Sequence, residues 1–223
     1  MLSAEEWWSI MEAYGSRIWP VSLVSVAISV MLVLFLFVRF GSVSNLLMKI
    51  YLVFSFAWIG IVFFMSLGKG LAGNYIFGSM FTIVSILFAA DIFRGRMQFR
   101  LPEPKRQKYI TLGLMLVVLC YPLFSIASGH HFPRVIIPGT YPCPTTALGL
   151  LLLTMALPRV DKIVYIVLLF WAIVFPPFIQ IPKYGVYEDG IMLLVGLYSL
   201  VMLVKHWKIH RVPDEDTQPM RLP

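Results

Sequence analysis

Long apolar runs separated by short charged segments are the feature that most constrains this chain. Each run approaches the ~20 residues that an α-helix needs to cross the hydrocarbon core of a bilayer. Composition agrees, because 59% of the 223 residues are hydrophobic and only 13% are charged, against roughly 25% charged residues in a soluble domain. We therefore predict an all-α, polytopic integral membrane protein with about seven transmembrane helices, centred on residues 20–39, 49–67, 74–93, 109–127, 144–158, 162–181 and 188–205.

The predicted helices form a single transmembrane bundle over residues 1–210. The polar, proline-bearing residues 211–223 are predicted to be a disordered cytoplasmic tail. The fifth run is the weakest, because its continuous apolar part, from Thr145 to Leu157, is short for a bilayer. It needs the preceding Pro-Cys-Pro-Thr segment to reach full depth, or it is a tilted or partly re-entrant helix.

Lys and Arg residues are distributed unevenly between the two sides of the predicted bundle. With the N-terminus outside, 14 of the 18 lie in inner segments and 4 in outer segments. Positively charged residues favour the cytoplasmic side, so this distribution predicts an outer N-terminus and an inner C-terminus. The formal charge of +7 is then an orientation signal, and no nucleic-acid partner is predicted.

The first eighteen residues have a helical pattern of their own. Ser3 followed by Glu6 fits a capping box at a helix start. Because apolar residues then recur at helical spacing, we predict a short interfacial helix over residues 1–18 that lies on the membrane and ends before Trp19 and Pro20. The apolar face of this helix consists of Trp7, Trp8, Met11, Tyr14 and Ile18.

Two predicted outer loops hold the side chains that are best suited to metal chemistry. His130, His131 and Cys143 belong to one loop, and Glu188 and Asp189 to the next. Histidine and thiolate bind Zn or Cu, and carboxylates can complete such a shell, so His130, His131 and Cys143 are candidate metal ligands. Their spacing fits no established ligand motif. The alternative is a solvated interfacial loop in which Cys143 packs as a small apolar residue.

The segment Pro142–Thr146 has the most specific local pattern in the chain. Two prolines two residues apart disfavour a regular helix interior. We therefore predict that the fifth helix begins at Thr145 or Thr146, with a threonine hydroxyl as its N-cap. The positive end of the helix dipole would then face outward and could accept an anion. The candidate ligand-binding residues are Pro142, Cys143, Thr145, Thr146, Glu188 and Asp189, and the alternative is a rigid helix entry without a ligand.

The middles of the predicted spans hold no Lys, Arg, Glu or His. A proton-coupled carrier usually needs such a group, which counts against ion-coupled transport. Asp91 lies near the inner end of the third span, where an ion pair with Arg94 or Arg96 is expected. Aromatic side chains within the spans either pack the bundle or line a pocket for a lipid-like ligand.

Several local motifs occur together in an order that is typical of one family. Arg17–Pro20 precedes the first span, Tyr121–Leu123 closes the fourth, and Pro142–Leu152 opens the fifth. This order resembles a family of bacterial multi-pass membrane proteins of unknown function, which carries a Pro-x-Pro-Thr run followed by Leu-Gly-Leu-Leu. The resemblance covers most of residues 17–200. It implies location in a bacterial inner membrane and a shared role for Pro142, Pro144 and Thr145.

Three functions remain open on the sequence. The first is a small permease or ligand-binding bundle with an outward-facing cavity near Pro142–Thr146. The second is a non-catalytic membrane subunit that packs against a partner complex, and the third is a metal-binding membrane enzyme. The sequence identifies no cofactor, and its incomplete ligand and nucleophile sets favour a non-enzymatic role. The expected partners are the lipid bilayer, a small-molecule or ion ligand, and a membrane-protein partner or a second copy of the chain.

Overall fold

A computed structural model describes residues 2–39 and 41–209, and all regular secondary structure within these residues is helical. Two of the helices continue into π-helical turns without a break. The elements in chain order are α1 (Ala4–Val38), α2 (Ser42–Ala57) with π-turns Trp58–Leu67, α3 (Asn74–Arg94), α4 (Lys105–Leu119), α5 (Tyr121–Ala127), α6 (Pro142–Met155), α7 (Lys162–Phe175) with π-turns Pro176–Gln180, α8 (Ile181–Tyr184) and α9 (Asp189–Ile209). This confirms the predicted all-α class. The predicted tail at 211–223 lies outside the described residues.

Five helical segments of the described chain are long and apolar enough to cross a membrane: Ala4–Val38, Ser42–Leu67, Asn74–Arg94, Lys162–Tyr184 and Asp189–His206. α4 and α5 add a sixth if they form one broken span, since they are bent by 57° at Cys120. Pro122 lies in the first turn of α5 and lacks the N–H that would continue α4, which accounts for the break. Helix length and composition therefore support five to six spans.

α1 runs without interruption through the boundary that the sequence predicts at residue 18. The predicted capping box is present, because Glu6 N–H donates to Ser3 Oγ at 3.2 Å and Ser3 N–H donates to Glu6 Oε2 at 2.7 Å. The prediction of a separate interfacial helix over residues 1–18 is nevertheless wrong at its end. Pro20 lies inside α1, where a proline removes one backbone hydrogen bond without ending the helix.

The N-terminal half of α1 packs on protein. Trp8, Met11, Tyr14 and Ile18 are buried. Trp8 Nε1–H donates to the Tyr184 carbonyl at 2.9 Å, and Tyr14 OH donates to the Thr140 carbonyl at 2.7 Å. The apolar face read from the sequence therefore exists, and it covers other parts of the chain.

α6 lies at the centre of the bundle. All fourteen of its residues are buried, and it packs against α2, α4, α7 and α9. At a rise of 1.5 Å per residue it is about 21 Å long, less than the ~30 Å hydrocarbon core of a bilayer. Because protein surrounds it on every side, its length is not set by lipid contact.

The two ends of the bundle differ in charge. One end, which we call the basic end, brings the last turn of α3, the last turn of α6 and the start of α7 around a cleft that is rich in arginine: Arg94, Arg96, Arg100 and Arg159. The opposite end, the acidic end, holds the starts of α6 and α9, with the buried carboxylates Glu188 and Asp189.

A buried ion pair fixes the basic end. Lys49 Nζ lies 2.7 Å from Asp91 Oδ2, and both side chains are almost fully buried. Asp91 also accepts the backbone N–H groups of Arg96 and Met97, each at 3.2 Å. The expected partners of Asp91, the Arg94 and Arg96 side chains, are therefore replaced by Lys49 and by backbone. This arrangement ties the segment after α3 to α2, so Asp91 has a structural role.

Candidate functional site

Two carboxylates lie buried at the start of α9. Glu188 is 3% exposed and Asp189 is 0% exposed. Asp189 occupies the first turn of α9, where the helix dipole favours a negative charge. Backbone bonds in the preceding turn hold the two residues in place, since Asp189 N–H donates to the Val186 carbonyl at 3.2 Å.

The two carboxylates have different partners. Glu188 Oε1 accepts a hydrogen bond from Ser125 Oγ at 2.9 Å and lies 2.8 Å from His130 Nδ1. Asp189 Oδ1 accepts a hydrogen bond from the Tyr121 hydroxyl. Glu188 therefore has a side chain beside it that can carry a positive charge, whereas Asp189 is held by a neutral phenol.

The predicted metal ligands are not brought together. His130 packs its ring against Trp8, with ring centroids 4.2 Å apart, and contacts Glu188. His131 is exposed, and Cys143 is buried elsewhere, with its sulfur accepting a hydrogen bond from Gln180 Nε2 at 2.9 Å. Among the described residues, no group of three or more His, Cys, Asp or Glu is placed to hold a metal ion. The arrangement therefore does not support the metal hypothesis.

α6 begins at Pro142, with Tyr141 as its N-cap residue. The prediction that it starts at Thr145 or Thr146 is wrong, because the first turn of a helix uses no intrahelical N–H and accommodates both prolines. The Thr145 hydroxyl instead donates to the Tyr141 carbonyl at 2.6 Å and accepts the Gly139 N–H at 2.7 Å. It thereby fastens the loop to the helix that follows.

A cavity of about 480 Å³ lies at the acidic end, between the starts of α1, α3, α6 and α9 and the end of α7. Its wall is mainly apolar. Ala72, Gly73 and Phe178 are exposed members of the wall, and they place its mouth at the surface. Nine aromatic residues contribute to the wall: Trp7, Phe63, Phe64, Phe77, Tyr141, Trp171, Phe175, Phe178 and Tyr184.

Four polar groups of this wall have a buried atom without a hydrogen-bond partner. They are the Tyr141 hydroxyl, Trp171 Nε1, Gln180 Oε1 and Asp189 Oδ2. Most buried polar atoms in folded proteins have a partner, because leaving one unsatisfied costs about 1–3 kcal/mol. These four atoms lie around one cavity, and the Cys143 thiol interacts with the Trp171 and Asp189 side chains among them.

The predicted ligand-binding residues divide into two sets. Pro142, Cys143 and Asp189 line the cavity. Thr145, Thr146 and Glu188 are buried outside its lining and support it. The segment Pro142–Thr146 is wholly buried.

Sequence reasoning missed Gln180 and Tyr141. Gln180 is an amide that follows the apolar segment Pro176–Ile179, and a lone polar residue at the end of a span is the signal by which it could have been found. Tyr141 stands in a loop, where a tyrosine has no distinctive pattern. Only the tertiary fold brings its ring beside Tyr14 of α1, with ring centroids 5.1 Å apart.

Comparison with known proteins identifies a family and no activity. No curated protein matches the chain, and no solved structure matches it. Residues 4–213 match the model of a family described as "Family of unknown function (DUF6064)". That match covers nearly the whole chain, and the protein therefore belongs to the family of unknown function DUF6064.

Proposed function

We propose that this protein is a seven-span bacterial inner-membrane protein whose outward-facing cavity binds a small ligand, as a permease or a ligand-binding bundle. The ligand has an apolar body and a polar head. Four buried polar atoms without partners on an otherwise apolar wall carry this proposal. The cavity volume of about 480 Å³ falls within the roughly 300–1,000 Å³ of small-molecule sites.

The ends of α6 support the count of seven. Its first residue, Pro142, lines the cavity at the acidic end. Its last residue, Met155, accepts the Arg100 N–H at 3.2 Å at the basic end. α6 thus connects the two ends while other helices surround it, and it would cross the membrane without contacting lipid. With α4 and α5 as one broken span, the chain then crosses seven times.

Charge supports the orientation. The basic end carries four arginines around one cleft, and basic residues favour the cytoplasmic side of a membrane. The acidic end, with the cavity, would then face outward. Two single cysteines in a chain without Cys120 and Cys143 test this: Lys69→Cys at the acidic end and Lys105→Cys at the first residue of α4, both at exposed positions. In intact cells, a membrane-impermeant maleimide should label residue 69 and spare residue 105. Labelling of residue 105 alone would show that the orientation is the opposite of the proposed one.

Ligand binding is tested with phenylbutanol, a neutral molecule with an aromatic body and a hydroxyl head. Calorimetric titration into the full chain in nanodiscs should show saturable binding, with empty nanodiscs as the blank. Ala72→Trp would fill the mouth of the cavity and should weaken binding at least tenfold. Ala127→Trp is the matched control, since Ala127 is exposed on α5 and does not line the cavity. Equal binding by both variants would refute the cavity as a ligand site.

A further inference from the structure

We infer that the ligand of this cavity carries a positively charged amine, which binds at Asp189. This inference rests on the proposed function and adds the chemical class of the ligand. It starts from the difference between the two neighbouring carboxylates. Glu188 has His130 at 2.8 Å. No Lys, Arg or His of the described residues forms an ion pair with the fully buried Asp189, and the charge of His130 acts on it only at longer range.

A buried carboxylate without a counter-charge is costly, and removing a charge from water is repaid only by a close opposite charge and good hydrogen bonds. The Tyr121 hydroxyl and the dipole of α9 offset part of that cost. Asp189 Oδ2 accepts no hydrogen bond of good geometry, although the weakly donating Cys143 thiol interacts with this carboxyl group, and Asp189 is one of the residues that line the cavity. The missing charge therefore has room to enter from the cavity.

The neighbouring free acceptor points to the same head group. Gln180 uses its Nε2–H to donate to Cys143 Sγ, which leaves its Oε1 as a free acceptor. Asp189 Oδ2 and Gln180 Oε1 both need a donor. An ammonium group offers only donors, up to three of them, and it supplies the positive charge as well.

The rest of the wall suits an amine. Aromatic faces attract cations through their negative ring surfaces, and Trp is the strongest of these rings. Trp171 and Phe175 stack with ring centroids 3.8 Å apart within the wall. Among the described residues that line the cavity, Lys183 is the one cation. Its Nζ lies 5.2 Å from the Tyr184 ring centroid, and it makes no ion pair with Asp189.

The test compares three molecules that share one apolar body: phenylbutylamine, neutral phenylbutanol and anionic phenylvalerate. Each is titrated at neutral pH into the full chain in nanodiscs, with empty nanodiscs as the blank. A hydrogen-bonded charge pair predicts that the amine binds about tenfold to hundredfold more tightly than the alcohol. Asp189→Asn should bring the ratio of the two affinities close to one while the alcohol still binds.

Glu12→Gln provides the matched control. Glu12 lies near the same end and pairs with Arg134 at 3.1 Å, but its side chain is 46% exposed. Removing this carboxylate should leave the preference for the amine unchanged. The Asp189→Asn variant is checked for folding by its retained affinity for phenylbutanol.

The possible results distinguish a failure of the charge assignment from a failure of the cavity proposal. If the alcohol or the carboxylate binds as tightly as the amine, the charge assignment is wrong and the ligand cavity stands. If Asp189→Asn and Glu12→Gln reduce the preference equally, it arises from overall charge and the assignment to Asp189 is wrong. If none of the three molecules binds, the cavity proposal and the charge assignment fail together.

Discussion

Replacing Gly60 with alanine should destabilise the contact between the second and third helical segments. The π-turns Trp58–Leu67 pack closely against α3 at this point. A Cβ on Gly60 would lie 2.3 Å from Thr82 Oγ1, 2.7 Å from the Gly78 carbonyl oxygen and 2.8 Å from Thr82 N. Two of these three atoms belong to the backbone of α3, so rotating a side chain cannot relieve the clash.

The size of the effect follows from the atoms that must move. Forcing one extra methyl group into a packed site costs about 1–3 kcal/mol. Rotating Thr82 away would also break its 2.8 Å hydrogen bond to the Gly78 carbonyl, worth about 0.5–1.5 kcal/mol. Alanine regains about 0.5–1 kcal/mol through helix propensity. We therefore expect Gly60→Ala to lower the free energy of unfolding by about 0.5–4 kcal/mol.

Gly113→Ala is the matched control. Gly113 lies within α4, and a Cβ added there would meet nothing within 4 Å. This variant should be unchanged or more stable by about 0.5–1 kcal/mol. Both variants are measured by denaturant titration in detergent micelles, with far-UV circular dichroism and tryptophan fluorescence as independent probes. Equal stability of the two variants would refute the close approach of the backbones at Gly60.

Two further variants test the basic end and the support of the cavity. Lys49→Met should lower the free energy of unfolding by about 3–5 kcal/mol, because it leaves Asp91 as an unpaired buried carboxylate. The control Lys108→Met, at an exposed position, should have little effect. Equal losses of stability in denaturant titration would contradict the role of the ion pair. Thr145→Val should lower the free energy of unfolding by about 1–3 kcal/mol, because the Gly139 N–H loses its buried acceptor. Thr145→Ser keeps the hydroxyl and should retain most of the stability. A valine variant as stable as the serine variant would show that this hydrogen bond contributes little.

The long helices could be predicted from the sequence because each follows an unbroken apolar run. A helix that crosses a membrane needs such a run, and these runs locate the segments that became α2, α3, α7 and α9. α6 does not follow this rule. Its neighbours are helices on all sides, so a fourteen-residue segment suffices. The short apolar run was recognisable in the sequence, but the identity of its surroundings depends on contacts between distant parts of the chain.

Helix boundaries at prolines were harder to predict. Pro20 lies inside α1, Pro122 accompanies a 57° bend, and Pro142 begins α6. The same residue type therefore continues, bends or starts a helix. The difference depends on whether neighbouring groups satisfy the carbonyl that a proline leaves without a donor, and those neighbours are fixed only by the tertiary fold.

The candidate site could be located in part. Its carboxylates and the proline segment were identified from residue type and spacing, but their hydrogen-bond partners were not. His130 and Glu188 are 58 residues apart in the chain, and Gln180 and Cys143 are 37 apart. No local pattern encodes such pairings. The histidine that suggested a metal is therefore better understood as the partner of a buried carboxylate.

Charged residues are missing from the middles of the predicted spans, yet a charge can still be deeply buried in this bundle. Depth in the bilayer and depth in the protein are separate quantities, and the second decides how strongly a charge is shielded from water. Asp189 stands at the beginning of a span by its sequence position, but it is fully buried. A cavity with an aromatic wall touches it on one side and a tyrosine hydroxyl on the other. An ionisable group can therefore be withdrawn from water at the end of a helix as fully as at its middle, provided that the surrounding helices bury it.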